Sequence, residues 1–309
     1  AGSFTNMPNA SRGVLGIDSN FGLPGTPNCL IKDKDGMLWI GANNTVVRYD
    51  SNNLAIYGSD QGLNSGLVQT LFQDSKGRIW VTGLGKSISI IDFDAQQIYE
   101  LNFNFDVSRI FDILETIDGK FWISNNGVGY NIIDLKDRTI RQLTVKQGLL
   151  GTTCISPYQD QIGRIWLSTN KGVNIIDLKS GKNYTLTQNT GLLSDFTTGF
   201  FEDSKGYMWI GNFKGISILN NDQDTISYFT QDQGLEENST VTKLFKDHLG
   251  KMWLGTNRGK IYSLSGIDGS SIEEYTISQN PQQLVYNLVE DNQGQIWTGI
   301  LQGGIYKVD

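Results

Sequence analysis

Residues 203–220 read DSKGYMWIGNFKGISILN. The stretch contains an Asp-x-x-Gly turn, a short apolar run around Trp209, a second turn at Gly215 and a second apolar run. The same arrangement recurs along the chain, and every tryptophan occupies the same place in one copy. The seven are Trp39, Trp80, Trp122, Trp166, Trp209, Trp253 and Trp297, spaced by 41 to 44 residues. Seven copies at that period indicate a repeat architecture.

Each copy divides into four short strands separated by tight turns. Around Trp209 we expect strands at residues 197–202, 207–211, 216–220 and 225–230, which are rich in β-branched and aromatic residues. Four strands in each period are typical of a propeller blade. Adjacent apolar residues are expected within the strands, because neighbouring blades cover both faces of each sheet. The sequence therefore predicts an all-β, seven-bladed β-propeller with four-stranded antiparallel blades.

The two ends of the sequence predict how the ring closes. The last copy stops after its third strand, near Val308, while residues 14–23 align with residues 54–63, the fourth strand and exit loop of the first copy. We expect the N-terminal strand to complete the last blade, since closure removes exposed sheet edges. Residues 14–309 are then a single propeller, and residues 1–13 are a flexible N-terminal tail.

The repeated Asp-x-x-Gly-x-x-Trp motif has a structural interpretation. The Asp side chain accepts hydrogen bonds from backbone N–H groups of the turn, and the Gly supplies its positive φ. The Trp fills the wedge between blades and needs a partner for its indole N–H. Thr116 replaces the Asp in the third copy. Two positions after each Trp the residue is small, which predicts close approach of neighbouring blades: Gly41, Thr82, Ser124, Ser168, Gly211, Gly255 and Gly299.

Composition excludes several classes of partner. The 309 residues carry a formal net charge of -7, which disfavours binding to nucleic acid or to an anionic membrane. No apolar run is long enough to cross a bilayer, and the first residues do not resemble a signal peptide, so we expect no membrane insertion. The two cysteines, Cys29 and Cys154, lie three copies apart, too far for a disulfide. We expect both to be small buried residues.

Several stretches resemble the two-component regulator propeller repeat. They are DSKGRIWVTG from Asp74, DSKGYMWIGN from Asp203 and DHLGKMWLGT from Asp247, each preceded by a Gly-Leu loop, at Gly62-Leu63, Gly191-Leu192 and Gly234-Leu235. The resemblance covers essentially residues 14–309. The departures are Phe105-Asp106 and Asn280-Pro281 in place of Gly-Leu, Thr116 for Asp, and Thr45 where a Gly is usual.

This resemblance implies a location and a role. The repeat builds extracytoplasmic sensor regions of bacterial hybrid histidine kinases and related receptors. It therefore implies a periplasmic sensor domain in signal transduction, with a protein partner or a homodimer within a larger receptor.

The connectivity of the strands predicts where a ligand binds. The Asp-x-x-Gly turns join strands one and two on one face, here called the turn face. The loops from strand two to three, and from strand four to the next blade, share the other, the loop face. We expect a small carbohydrate at the channel mouth there. The candidate ligand-binding residues are Lys86, Arg109, Asp112, Asn126, Lys171, Phe213, Lys214, Lys243, Arg258 and Asn287.

Two ligands fit this residue set. The cations suit a carboxylated or sulfated sugar, and Phe213 offers a platform on which a sugar ring can stack. An acidic peptide would meet the same cations, so a protein- or peptide-interaction propeller is the alternative. Lys and Asn are also ordinary residues of exposed turns.

Catalysis is the third alternative, as a propeller-type polysaccharide or streptogramin-like lyase. Such chemistry commonly uses His and Tyr as base and acid. The single histidine, His248, lies in an Asp-x-x-Gly turn on the turn face, and the pair Asp112 and Lys243 lies in copies three and six. The sequence shows no metal-ligand spacing and no phosphate-binding loop. We therefore expect a non-catalytic ligand-recognition module with no catalytic residue, no metal and no cofactor.

Overall fold

A computed structural model describes residues 5–6, 14–17, 23, 25–50, 54–220, 225–265, 271–280, 282–301 and 303–308. The described strands form seven antiparallel sheets, and the chain is an all-β, seven-bladed propeller. The strands of the N-terminal segment and the first three blades are β1 Thr5–Asn6, β2 Val14–Ile17, β3 Cys29–Lys32, β4 Leu38–Ala42, β5 Thr45–Tyr49, β6 Leu54–Tyr57, β7 Val68–Gln73, β8 Ile79–Gly83, β9 Ile88–Asp92, β10 Gln97–Leu101, β11 Ile110–Glu115, β12 Phe121–Asn125, β13 Gly129–Asp134 and β14 Thr139–Leu143. The strands of the other four blades are β15 Cys154–Gln159, β16 Ile165–Thr169, β17 Gly172–Ile176, β18 Asn183–Leu186, β19 Thr197–Glu202, β20 Tyr207–Asn212, β21 Gly215–Asn220, β22 Thr225–Phe229, β23 Val241–Lys246, β24 Met252–Thr256, β25 Lys260–Ser265, β26 Ser271–Thr276, β27 Val285–Glu290, β28 Ile296–Ile300 and β29 Gly304–Val308.

The predicted strands around Trp209 are confirmed to within one residue at every end. Burial follows the order of strands within a blade. The second strand of most blades, such as β16, is buried along its whole length, whereas the fourth, such as β14, is largely exposed. The expected lack of strict alternation is thus confirmed where a strand is covered on both faces.

Strand β2 closes the last blade as predicted. It pairs antiparallel with β29, with Val14 opposite Val308 and Ile17 opposite Ile305. Strand β1 adds a fifth strand to this sheet by pairing with β2. Of the predicted flexible tail, residues 1–13, only Thr5–Asn6 is described. The rest of the tail lies outside the described residues, so its flexibility stays a prediction.

Two compact units make up the chain: residues 1–109 together with 245–309, and residues 110–244. We call them the first and the second unit. The first holds β1–β10 and β24–β29, the second holds β11–β22, and β23 crosses the boundary.

The Asp of the repeat orders the turn and also binds the indole of the Trp. In the fifth blade, Asp203 accepts hydrogen bonds through Oδ1 from the backbone N–H groups of Lys205 and Tyr207, at 2.9 and 3.0 Å. Its Oδ2 accepts from the indole Nε1 of Trp209 at 3.2 Å. The same carboxylate–indole bond occurs in six blades at 2.7 to 3.2 Å. Both expected roles are confirmed, and one carboxylate performs the two tasks.

The third blade keeps the turn without this carboxylate. Thr116 donates its hydroxyl to Asp118 Oδ1 at 2.5 Å, and its carbonyl accepts from the N–H of Gly119 at 2.7 Å. Gly119 has a φ of 78°, within the 77° to 91° of the equivalent glycine in all seven turns. A left-handed glycine is therefore common to every turn, whereas the carboxylate is not.

Neighbouring blades are packed together by the tryptophans and by the small residues near them. In the second unit, Trp166 belongs to one apolar cluster with Phe200 and Met208 of the following blade. In the first unit, a Cβ atom at Gly41 would lie 2.5 Å from Val68 of the following blade. No side chain fits at that distance, which confirms the close approach predicted from the small residues.

A second contact between blades was not predicted. The residue before the Asp of one blade accepts a hydrogen bond from a backbone N–H in the turn of the preceding blade. Gln159 binds the N–H of Ile117 at 2.9 Å, and Glu202 binds the N–H of Gln161 at 2.7 Å. The same bond joins Gln73 to Lys34 and Glu290 to His248.

Both cysteines are buried and free, as expected. Burial raises the pKa of the Cys29 and Cys154 thiols to about 12, so both stay protonated at neutral pH. Among the described residues, no helix has the length and hydropathy that crossing a membrane would require.

Candidate functional site

The two kinds of loop share one face of each blade, as the connectivity predicted. Within a blade, the loop between strands two and three is hydrogen bonded to the segment that enters strand one. Asn170 donates its N–H to the carbonyl of Thr153 at 3.1 Å, and Leu84 donates to Leu67 at the same distance. The loop face is thus built from pairs of crosslinked loops.

In the second unit, four of the predicted residues lie on strand two-to-three loops. Lys171 and Lys214 are exposed, Asn126 is half-buried and Phe213 exposes 43% of its surface. Lys214 has a φ of 70°, a left-handed conformation that turns the loop sharply before Gly215.

Asp112 and Lys243 lie on the first strands of their blades. Asp112 is held in place because its Oδ2 accepts from the hydroxyl of Ser156 at 2.7 Å and its Oδ1 from the N–H of Ile113 at 2.9 Å. Burial raises the pKa of Asp112 above its ordinary value. The positive charge of Lys243 and these two hydrogen bonds oppose that increase. The charge of Lys243 thus acts on Asp112 although three blades separate them in sequence.

This balance predicts the effect of replacing Asp112 by Asn. A carboxyl whose pKa is raised by folding binds its proton more tightly in the folded state, so its ionised form lowers stability at pH 7. We expect Asp112→Asn to raise the thermal midpoint by a few degrees at pH 7. The gain should vanish as the pH falls below about 4, where the unfolded carboxyl is also protonated. Thermal unfolding between pH 3.5 and 7.5 measures this.

An asparagine already occupies this position in another blade, and Asp106 provides a control carboxylate. Asn287 occupies the equivalent position in the last blade, and its Oδ1 accepts from the N–H of Leu288 at 2.9 Å, as Asp112 does from Ile113. The pKa of Asp106 is lowered, first by its hydrogen bond from the Ser108 hydroxyl. Asp106→Asn should therefore not stabilise the protein at pH 7. A gain for Asp112→Asn that persisted at pH 3.5 would contradict the explanation.

The other predicted residues belong to the first unit. Lys86 and Arg109 are exposed, and Arg258 is half-buried with its N–H donating to Thr256 Oγ1 at 3.3 Å. The carboxamide of Asn287 also donates to the carbonyl of Leu30 in the following blade. That carboxamide therefore holds two blades together.

Carboxylates accompany the cations of the second unit's loop face. Asp195, Glu236 and Glu237 lie in the segments that lead from strand four into the next blade. Asp195 accepts a hydrogen bond from the N–H of Gln188 at 2.6 Å, and Glu237 is exposed. Both signs of charge are thus present on the loop face of this unit.

Phe196 joins the candidate residue Phe213, although the sequence alone did not single it out. Its ring stacks on that of Phe213, with centroids 4.5 Å apart and planes inclined by 8°. A signal was present in the repeat: Phe196 lies 13 residues before Trp209 and Phe213 lies 4 residues after it. In the other blades these two positions are occupied by matched pairs such as Leu67 with Leu84, or by polar pairs.

The single histidine of the sequence takes part in a contact between blades. His248 lies in the turn of the sixth blade, where its N–H donates to Glu290 Oε2 at 2.9 Å and its Nδ1 contacts Oε1 of the same carboxylate. Glu290 is buried at 6% exposure. The position of His248 in an Asp-x-x-Gly turn is as predicted.

A cleft lies at the turns of the last and first blades, within the first unit. It is lined by Gly36, Met37, Leu38, Tyr49, Asp50, Asp291, Asn292 and Gln293. None of the ten candidate residues lines this cleft.

The Gly-Leu loops share one geometry. In four of them a single 3-10 turn, Ser59–Gln61, Val145–Gln147, Gln188–Thr190 or Gln231–Gln233, precedes a glycine with a φ of 94° to 111°. The leucine that follows is buried, as Leu63 and Leu192 are. The family model for the two component regulator propeller matches residues 62–85 and 191–214, which begin at these glycines. The chain carries two component regulator propeller repeats.

Solved structures of similar fold include the extracellular domains of two bacterial signalling systems. The extracellular domain described as that of a hybrid two component system, BT3049 from B. thetaiotaomicron, matches with a TM-score of 0.79 and 15% identity, over 96% of this chain and 42% of that chain. That of a one component system, BT4673 from the same organism, matches with a TM-score of 0.75 and 17% identity, over 96% and 43%. This chain thus spans less than half the length of either.

An enzyme shares the fold as well. Virginiamycin B lyase from Staphylococcus aureus matches with a TM-score of 0.74 and 18% identity, over 95% of this chain and 97% of that chain. A catalytically inactive form of that lyase has been solved with quinupristin. No curated protein sequence matches the chain significantly. At these identities the likeness establishes the fold alone.

Proposed function

We propose that this chain is a non-catalytic ligand-recognition propeller of a bacterial extracytoplasmic sensor of two-component type, and that it binds an oligosaccharide on its loop face. The regulator propeller repeats, at residues 62–85 and 191–214, carry the proposal. Extracellular domains of two-component and one-component systems that share the fold support it.

The chemistry of the second unit's loop face supports a sugar ligand. Sugar-binding sites combine a flat apolar surface for the face of the ring with polar groups for the hydroxyls. Phe213 supplies the first, while Asn126, Lys171 and Lys214 supply the second. Lys86, Arg109 and Arg258 belong to the first unit and provide further cations there.

The test is a thermal-shift measurement with acidic and neutral oligosaccharides. A ligand that binds only the folded state stabilises it by about 2.7 kcal/mol at a hundredfold excess over Kd. We expect the midpoint to rise with one class of sugar. The double variant Lys171→Gln, Lys214→Asn should reduce the thermal shift, because it removes two ammonium groups that would bind the sugar. Asn is chosen at position 214 because it tolerates the left-handed backbone there.

Lys205→Gln is the matched control, since Lys205 is exposed in the Asp turn of the same blade. It should leave the shift unchanged. If no sugar raises the midpoint while a peptide from a library does, the sugar proposal is wrong and the peptide alternative takes its place.

The lyase alternative rests on the shared fold and has its own test. His248, the single histidine, is engaged by Glu290 at a contact between blades, and the pKa of Asp112 is raised but Lys243 and Ser156 restrain it. We expect quinupristin to be recovered intact after incubation with the protein, as measured by mass spectrometry. Ring-opened product would support the lyase.

A further inference from the structure

We propose that Phe196 and Phe213 together form the stacking subsite of the loop face, and that it holds the apolar face of an uncharged pyranose ring. This inference rests on the proposed function and specifies the ligand further. Phe196 directly precedes β19 and Phe213 directly follows β20, and Thr197 pairs with Asn212 between them. The two rings are therefore neighbours across the end of one antiparallel pair.

Stacking on Phe196 occupies one face of the Phe213 ring, with the two centroids 4.5 Å apart. Phe213 is nevertheless 43% exposed, and the ring face turned away from Phe196 is the one that a ligand would cover. An exposed aromatic face retains apolar surface that water solvates poorly, and a second flat apolar surface can cover it. The C–H-bearing face of a pyranose ring has this shape.

The platform is held rigid by hydrogen bonds below it. Asn212 is fully buried, and its Nδ2 donates to the carbonyl of Ser194 at 3.1 Å. Its Oδ1 accepts from the hydroxyl of Ser217 at 2.7 Å, and Ser194 Oγ accepts from the N–H of Phe196 at 3.2 Å. Both phenylalanines are thus anchored to the same crosslinked pair of loops. A preorganised platform loses less conformational entropy when a ligand binds.

The surrounding charges favour a neutral ligand. Lys214 directly follows Phe213 and Asp195 directly precedes Phe196, so one charge of each sign adjoins the aromatic pair. A strongly anionic sugar would meet the like charge of the Asp195 carboxylate. Sugar hydroxyls both donate and accept hydrogen bonds, so a mixed set of carboxylates and ammonium groups suits them. This differs from the acidic sugar that the cations alone suggested.

The aromatic pair is particular to the fifth blade. The residue four positions after the Trp in the other blades is Asn43, Leu84, Asn126, Asn170, Asn257 or Leu301. Asparagine occupies this loop position in four blades, so the fold of the loop does not require an aromatic residue there. The exposed ring of Phe213 is therefore better explained by binding than by packing.

The experiment measures binding of maltohexaose, cellohexaose, xylohexaose and hexagalacturonate by isothermal titration calorimetry. We expect wild type to bind one of the neutral hexasaccharides and Phe213→Ala to bind it about tenfold more weakly, which is the loss of one stacking contact. Phe213→Tyr should restore the affinity. Leu84→Ala is the matched control, since Leu84 is 56% exposed at the equivalent position of the second blade.

A fluorescent variant provides a second measurement. The seven native tryptophans are at most 6% exposed, so in Phe213→Trp the new indole would be the accessible one. The neutral hexasaccharide should protect it from acrylamide quenching.

The outcomes separate the two proposals. If wild type binds a neutral hexasaccharide and Phe213→Ala binds it equally well, the subsite is overturned and the proposed function stands. Binding of hexagalacturonate alone overturns the neutral ligand. If wild type binds none of the four, both the sugar ligand and the subsite are overturned. If the neutral hexasaccharide binds but leaves the indole of Phe213→Trp open to acrylamide, the subsite alone is overturned.

Discussion

Asp203→Ala is expected to lower the thermal midpoint by roughly 10 °C or more, one of the two largest effects we foresee. The substitution removes an acceptor of two backbone N–H bonds and leaves the indole N–H of buried Trp209 without its carboxylate. Each bond to a charged group contributes about 1.5–3 kcal/mol, and an unsatisfied buried donor costs a comparable amount. In a chain of this size, each kcal/mol corresponds to roughly 2–4 °C.

Two further variants identify which bonds matter. Asp203→Asn keeps an oxygen for the backbone N–H groups but turns an amide N–H toward the indole, so its midpoint should fall between those of wild type and Asp203→Ala. Asp232→Ala, at an exposed carboxylate in the 3-10 turn after the same blade, should leave the midpoint unchanged. If Asp203→Ala unfolds at the wild-type temperature, the glycine alone is sufficient to order the turn.

The second large effect is expected from deleting residues 1–20. The deletion removes β2 and exposes the edge of β29, whose Ile305 and Val308 are buried when β2 is present. We expect the midpoint to fall by roughly 10 °C or more, because the last blade loses its fourth strand. The protein should also self-associate, since an uncovered strand edge can pair with another chain. Calorimetry and light scattering measure the two effects.

A peptide tests whether the lost strand is the cause. Residues 10–20, added as a synthetic peptide, should partly restore the midpoint of the shortened protein. The same peptide with both Leu15 and Gly16 replaced by Pro should not, because these two residues face consecutive residues of β29, proline cannot donate a backbone hydrogen bond, and successive N–H groups of a strand point to opposite sides. An unchanged midpoint after the deletion would contradict the role of β2 in stabilising the last blade.

Much of the fold was predictable because one residue type marks it. Each Trp lies in the second strand of a blade, so the spacing of the tryptophans gives the number and the order of the blades. Closure was predictable because residues 14–23 align with residues 54–63. The 3-10 turn at four of the Gly-Leu loops was not predicted, since the glycine and leucine that recur there follow the turn and do not by themselves specify it.

The interactions of the candidate site were less predictable. The hydrogen bond that the N–H of Ile117 donates to Gln159 was missed for two reasons. Its donor is a backbone group, and its acceptor position carries Gln or Glu in some blades but Lys, which cannot accept, in others. Phe196 was missed because its stacking on the Phe213 ring becomes visible only in the structure. The charge of Lys243 acts on Asp112, although their separation in sequence suggested that they would not interact.

The hydrogen bond between successive turns also bears on how such a chain evolves. Its acceptor stands just before the Asp position and its donor just after it, so a repeat that carries Gln or Glu before the Asp position supplies an acceptor for the blade before it and a donor for the blade after it. Duplication of one such period in the gene would add both a donor and an acceptor for this hydrogen bond. Blade number is thus open to change by whole-repeat gain or loss without inventing new contacts, while loop residues such as Phe213 diverge independently.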